Sequence, residues 1–361
     1  MLSPSVREVL ALLVGGGVTA TGVIVLLRAP GPVAKPVPDR WHRKATPVTG
    51  GLALLTGFLI GLGVAEATGH VAHSVGYLAT GAAAAFFVGL ADDERWIGPR
   101  TKFAGQLAIG GAAAAVIRPH WLPPAAAVAV TVLVLVAAMN SFNLLDNIDG
   151  LAAGTAALAA ATLALSTLFV GGATTRLVAC AIAGACAGFL PFNYRRRRPA
   201  ALFMGDSGAH LLGFTVGGAA LMASPNGAGG VAVTVVAPLL ILALPIMDTS
   251  LVILVRLAEG RPIWKGGRDH LSHRLVYVGL GEREAVAMLL LLAAACAGTA
   301  LLVVAFDEPL VTGAAAGAVV ALLVGLGSRL ALVREPSMVA DLLPRKEAVE
   351  LEPLREHAHA S

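Results

Sequence analysis

Apolar runs of membrane-spanning length alternate with short polar links along most of the chain. A hydrocarbon core of about 30 Å takes about 20 apolar residues in a helix, and fewer where polar flanks reach back to the interface. Eleven such runs are present, at 9–27, 51–65, 76–91, 103–117, 125–139, 151–170, 177–192, 209–223, 231–247, 285–306 and 310–326. The pattern predicts an all-α fold, a polytopic membrane protein with about eleven transmembrane helices. The first run exceeds a signal-peptide core and lacks an A-x-A cleavage site, so it counts as a span. The expected organisation is one transmembrane domain over 1–333 and a charged cytoplasmic tail over 334–361.

Composition strengthens this picture. The 361 residues are 57% hydrophobic and only 13% charged, against about a quarter charged in an ordinary soluble domain. Scarce aromatics and 42 glycines suit helices whose backbones approach closely in a bilayer. Cys180, Cys186 and Cys296 all fall in apolar runs at spacings matching no zinc or redox motif, and read as packing residues. The partners expected are the lipid bilayer and small or lipid substrates, with no nucleic acid; a homodimer is compatible with the sequence.

Cations orient the bundle. With the N-terminus outside, the links 28–50, 92–102, 140–150, 193–208, 248–284 and 327–361 face the cytoplasm and hold 23 of the 26 Lys and Arg. Only Arg7, Arg118 and Arg176 lie on the other side, so the positive-inside rule puts the C-terminus and the polar chemistry in the cytoplasm.

Five polar clusters mark the cytoplasmic helix ends, where an ionisable group needs a partner to offset its desolvation. The first is Asp92-Asp93-Glu94, followed by Lys102; adjacent acids favour a cation, a metal or a shared proton, and the alternative is a solvated acidic loop. In the second, Asn140, Asn143, Asp146 and Asp149 recur every three residues, each one turn from the next if the stretch is helical. Such a face offers hard oxygen ligands for Mg²⁺, with Mn²⁺ as a substitute; helix capping accounts for one or two of the four.

The third cluster runs from Asn193 through Arg195 to Arg198 and on to Gly205-Asp206-Ser207-Gly208. Asp206 is either an N-cap or a carboxylate placed to hold a metal, and the arginines read as a topology anchor at anionic headgroups. The fourth is Pro245-Ile-Met-Asp248, a proline breaking an apolar run with an acid behind it, or a plain boundary residue. The fifth, Lys265 to Arg274, holds His270, His273 and Arg274, a compact grip that suits phosphate better than metal; an ordinary basic loop is the alternative.

Acids for a hard cation and bases for phosphate, on one membrane face, are the equipment of Mg²⁺-assisted phosphoryl transfer. A hydrolytic triad motif, an H-E-x-x-H and a P-loop are absent from the sequence, which argues against a membrane protease or an ATPase. A secondary transporter would place its polar residues near the midplane and often shows internal repeats, whereas these acids sit at helix ends.

The clusters, in this order from about Lys35 to Arg283, resemble the polyprenyl-phosphate N-acetylhexosamine-1-phosphate transferase family. Asp92, Asp93 and Lys102 match its Asp-Asp pair and downstream lysine. Asn140, Asn143, Asp146 and Asp149 match its N-x-x-N-x-x-D-x-x-D-G-L segment, and Met204, Gly205, Asp206 and Gly208 its M-G-D-x-G motif. His270, His273 and Arg274 match its His-rich last loop.

The resemblance implies transfer of a sugar-1-phosphate from a UDP-HexNAc to polyprenyl phosphate in the bacterial inner membrane, with the active site facing the cytoplasm. It implies Asp206 as magnesium ligand beside Asn143. Asp92, Asp93, Asp146, Asp149, Lys102, His270, His273 and Arg274 are the implied catalytic set, with Asn140, Asn193 and Asp248 at the substrate. A triplet of histidines usual in the muramoyl-pentapeptide branch is missing. The H-x-x-H-R sequence, the P-x-x-D at Asp248 and the eleventh span point instead to UDP-N-acetylglucosamine or a related UDP-HexNAc. Asn147 stands where Gly is more usual, a change expected to be tolerated.

Overall fold

A computed structural model describes residues 2–333 apart from 30, 35–44, 70, 196–197, 224–229 and 265. Lys35, Arg196, Arg197, Lys265 and the expected tail 334–361 therefore lie outside the described residues.

The fold is helical, with one antiparallel bridge of two residues a side, Val33–Ala34 (β1) on Thr46–Pro47 (β2). The helices are α1 (Pro4–Leu26), α2 (Gly50–Ala67), α3 (His73–Asp93), α4 (Pro99–Ala114), α5 (Pro124–Leu145), α6 (Leu151–Val170) and α7 (Ala173–Asn193). They continue with α8 (Gly205–Leu221), α9 (Ala237–Ile241), α10 (Ala243–Ala258), α11 (Leu271–Tyr277), α12 (Glu282–Phe306) and α13 (Pro309–Ala331). Proline opens α1, α4, α5 and α13, where its missing N–H would be unpaired in any case.

Among the described residues, eight helices are long and apolar enough to cross a membrane, or nine if the bent pair at α9 and α10 is one span. Two of the eleven expected runs, 103–117 and 209–223, fall in helices of only 16 and 17 residues, α4 and α8. Length and composition thus support a multi-pass membrane protein without fixing the count at eleven.

The run 231–247 is not the single straight span expected. A π-helical turn, Ala232–Val236, leads into α9, and α9 meets α10 at 64°. The bend follows from Pro245, which has no N–H to donate to Ile241 four residues back and whose ring crowds that carbonyl. Beyond the bend α10 continues through Asp248 to Ala258, so the expected cytoplasmic link 248–284 begins with eleven residues of helix.

Packing centres on α8, whose residues are small or apolar on every side and buried from Ser207 to Ala220. Helices α3 and α5 flank it, α1 lies against α2 and α7, and α6 lies against α7 and α12. Phe58, Phe142, Phe189 and Phe214 fill the core. Small residues set the helix separations: a Cβ on Gly89 of α3 would strike the backbone of Asp206 and Ser207 on α8. The last helix differs, with only 6% of its apolar window buried.

Candidate functional site

Four helix ends meet at the acidic corner. Lys102, in the first turn of α4, extends Nζ to Asp92 Oδ2 at 2.7 Å and to Asp206 Oδ2 at 2.6 Å. Asn143 Oδ1 on α5 lies 3.4 Å from the same nitrogen. Two carboxylates and an amide carbonyl thus converge on one cation, and the ammonium relieves a repulsion that would otherwise oppose folding.

Asp93 has a different task from its neighbour. Its Oδ1 accepts from the Asp206 backbone N–H at 2.8 Å and its Oδ2 from that of Ser207 at 3.0 Å. It caps the N-terminus of α8 from another helix, a carboxylate satisfying first-turn amides and facing the positive end of the dipole. Gly205 makes this approach feasible: its φ is +70°, and a Cβ there would lie 2.6 Å from Asp93 Oδ2. Both of its oxygens hold α8 in place.

The segment 140–149 does not continue as one helical face. Helix α5 ends at Leu145, Asp146 is its C-cap at ψ +46°, and Gly150 at φ +85° starts α6. Asn140 and Asn143 share the helix, whereas Asp146 and Asp149 belong to the corner that follows. Asp149 Oδ2 accepts from Ala200 N at 2.9 Å. Asn193, expected at the substrate, is buried and ties this corner to the next segment: its Oδ1 accepts from Gly150 N at 2.7 Å and its Nδ2 donates to Leu202 O at 3.1 Å. Asn140 likewise faces inward, donating to Val136 O and to Gln106 Oε1, each at 2.8 Å.

Asn147 is more than a tolerated exchange. Its Nδ2 donates to Leu144 O at 2.7 Å, capping a free carbonyl at the end of α5, while its Oδ1 accepts from Ser272 Oγ at 2.5 Å. A glycine can make neither bond. Asn147 joins the oxygen-rich corner to the basic loop.

The basic loop is built by its own ion pairs. Asp248, 1% exposed, accepts from His270 Nδ1 at 2.8 Å and from Leu271 N at 2.7 Å. It therefore orients His270 and starts α11. Asp269 takes a two-pronged contact from Arg261, at 2.8 and 3.1 Å, and a further bond from Arg256 Nε at 3.0 Å. Burial pushes the Asp269 carboxyl up, but the bonds from Arg261 and Arg256 outweigh it and hold the group below the usual carboxylate range.

Arg274 and His273 also depart from expectation. Arg274 is buried: Nε donates to Asp269 O at 2.7 Å, and Nη1 faces Leu330 O, Ala331 O and Val333 O at 2.9, 3.1 and 2.6 Å. The guanidinium staples the C-terminal end of α13 to the loop, the usual service of a cation to orphan carbonyls. The imidazole of His273, 5.5 Å from that of His270, is pushed well below its ordinary pKa by burial and by His270 and Arg268. It is neutral at neutral pH and supplies no resident positive charge there.

The clusters therefore form two hydrogen-bonded groups, one from Asp93 and Asp206 through Lys102 to Asn143 and one from Asn147 through Ser272 to the loop held by Asp248 and Asp269, and the end of α5 carries a member of each. Sequence reasoning passed over Gln106, His210, Arg256, Asp269 and Ser272. For Gln106 and His210 a signal existed: each lies four residues after a site residue on the same helix, Lys102 and Asp206.

Residues 75–224 match the family model described as Glycosyl transferase family 4. The decaprenyl-phosphate N-acetylglucosaminephosphotransferase of Mycolicibacterium smegmatis is 32% identical over 314 residues, covering 75% of each chain. The probable undecaprenyl-phosphate N-acetylglucosaminyl 1-phosphate transferase of Bacillus subtilis is 29% identical, over 73% of this chain and 74% of that protein. The undecaprenyl-phosphate alpha-N-acetylglucosaminyl 1-phosphate transferase of Escherichia coli K12 is 26% identical, over 75% and 76%.

Proposed function

The chain belongs to the glycosyl transferase family 4, and from that premise we propose that it moves N-acetylglucosamine-1-phosphate from UDP-N-acetylglucosamine to a polyprenyl phosphate, releasing UMP. The observation that carries this reading is the convergence of Asp92, Lys102, Asn143 and Asp206 at the ends of four helices, beside the Asn147 contact with the His270 loop. Relatives acting on undecaprenyl and decaprenyl phosphate support the acceptor class.

In the reaction an oxygen of the lipid phosphate bonds to the sugar-bearing phosphorus while the bond from that phosphorus to UMP breaks. One pyrophosphate linkage replaces another, so the step is near thermoneutral. The acceptor's second pKa is near 6; it is largely dianionic at neutral pH and needs little help from a base. Positioning and charge neutralisation are then the main tasks of the protein. Lys102 supplies a cation held between two carboxylates, and Asp92 is the carboxylate free of capping duty that can take a residual proton. Asp248 fixes the His270 ring through Nδ1, leaving Nε2 to face a ligand oxygen.

Mg²⁺ fits this oxygen set. Among the described residues no three His, Cys, Asp or Glu side chains are grouped to hold a metal by themselves. Asp206 and Asn143 would therefore share the ion with phosphate oxygens, as this small hard cation prefers. When bound, it neutralises charge on the transferring phosphoryl group.

The bias of 23 of 26 Lys and Arg toward one side supports a cytoplasmic site in the inner membrane. A homodimer belongs to the same proposal and is measured by light scattering of the detergent-solubilised protein.

The decisive assay supplies radiolabelled UDP-N-acetylglucosamine, polyprenyl phosphate and Mg²⁺ to the purified chain in detergent. Lipid-linked label with equimolar UMP is expected, and far weaker use of UDP-MurNAc-pentapeptide in competition. Absence of labelled lipid with a folded protein would refute the reading.

A further inference from the structure

Beneath the charged corner lies a second layer made only of neutral groups. Gln106 follows Lys102 by four residues on α4, His210 follows Asp206 by four on α8, and Asn140 precedes Asn143 by three on α5. Because α4 and α8 enter the bundle from this end and α5 leaves by it, all three steps lead one turn inward. Lys102, Asp206 and Asn143 thus each have a neutral residue below them on their own helix. Gln106 and His210 are fully buried.

The direction of the hydrogen bonds in this layer is determined. Asn140 Nδ2 donates to Gln106 Oε1 at 2.8 Å, which turns the Gln106 amide nitrogen toward His210 Nε2, 2.7 Å away. That ring nitrogen must accept, so the proton sits on Nδ1 and is donated to the Asp206 backbone carbonyl at 2.6 Å. The chain runs from Asn140 through Gln106 and His210 to the residue that carries the key carboxylate.

We propose that Gln106 and His210 are positioning residues, a neutral hydrogen-bonded layer that locks α4, α5 and α8 in one register so that Lys102, Asp206 and Asn143 converge. The physical ground is twofold. Neutral amides and an imidazole are far less costly to bury than ions at this depth. A one-residue slip of α4 would also rotate Gln106 by about 100° and leave buried donors and acceptors unpaired on all three helices. The ions above cannot enforce register alone, since a lysine side chain is long and flexible.

The inference rests on the transferase reading, and its test separates the two. In the purified full-length chain, Gln106→Leu and His210→Leu are each expected to lower kcat at least about tenfold, with KM for UDP-N-acetylglucosamine changed by no more than about twofold. The double variant should be no worse than the poorer single one, since both break the same chain. His210→Asn, whose amide lies near the place of Nδ1, should recover most of the loss.

Nitrogen-15 spectra of histidine-labelled wild type, with the His210 signal assigned by its loss in His210→Asn, should show the Nδ1–H tautomer. An Nε2–H tautomer, additive losses in kcat, or variants that melt earlier yet turn over at the wild-type rate would overturn the proposal. Should the leucine variants not fold, His210→Asn and the wild-type spectrum decide it. A wild-type chain that transfers no sugar phosphate sinks the transferase reading instead, and the tautomer still reports on the layer itself.

Discussion

The acidic corner and the basic loop are built on opposite plans. In the corner every side chain stands on a helix end in the bundle around α8, with glycine at the contact of α3 with α8, and ions in the outer layer are backed by a neutral layer inside. The loop from Arg261 to Arg274 has a short helix of seven residues and hangs on Asp248, Asp269 and a staple to the sparsely buried α13. A corner of that kind is rigid through packing, whereas the loop is rigid only while its ion pairs last. Preorganised charge belongs on the first, and a part that admits and releases substrate belongs on the second.

The largest effect should come from the corner. Asp206→Ala is expected to reduce turnover by roughly a thousandfold while leaving the thermal midpoint nearly unchanged, in line with removal of a principal electrostatic group from an active site. Transfer assays and melting in the same detergent check it; wild-type turnover would remove Asp206 from the chemistry.

In the loop the largest effect should be on stability. Asp269→Asn withdraws a carboxylate bonded to Arg256, whose side chain is 2% exposed, and should destabilise by roughly 3 kcal/mol. The sign with pH follows from the lowered Asp269 pKa. Its contribution is complete above the unfolded pKa of about 3.9 and fades as pH falls through the lower folded value. The gap in melting temperature between wild type and variant should therefore be wide at pH 7 and close in acid. A gap that grew on acidification would contradict the assignment.

The same contrast explains what was legible from the sequence. Helices and the order of the polar clusters could be read because apolar periodicity and motif spacing act along the chain, whereas Asp206 beside Asn143 came only as what the family resemblance implies. Which partner each polar group takes is decided across the chain. Nothing local says that Asp93 caps α8 while Asp92 pairs with Lys102, or that Asn193 is spent on Gly150. Nor does anything local say that Arg274 meets the carbonyls of Leu330, Ala331 and Val333, more than fifty residues away.

Arg274→Lys tests that contact with a moderate effect. A lysine lacks the planar fork, so the staple should fail. About a tenfold loss of turnover is expected, equal to roughly 1.4 kcal/mol, together with a lower melting temperature and faster proteolysis near residues 330–333. A direct diphosphate contact would instead reduce turnover with unchanged melting. Arg197→Lys, at a position outside the described residues, should change almost nothing.

The smallest effect sharpens the comparison most, because it falls on a side-chain bridge between the two regions. Asn147→Gly removes both the bond from Ser272 and the cap on Leu144 O, while Ser272→Ala removes only the first. One hydrogen bond of this kind contributes about 1 kcal/mol, so Ser272→Ala should raise KM for UDP-N-acetylglucosamine by roughly two- to fivefold at nearly constant kcat, the mark of a loop less ready to close. Asn147→Ala should do the same without the backbone freedom that glycine adds. If the bridge is the cause, the double variant Asn147→Ala with Ser272→Ala should be no worse than Asn147→Ala alone. Additive effects would mean that the corner and the loop act independently, each held only by its own contacts.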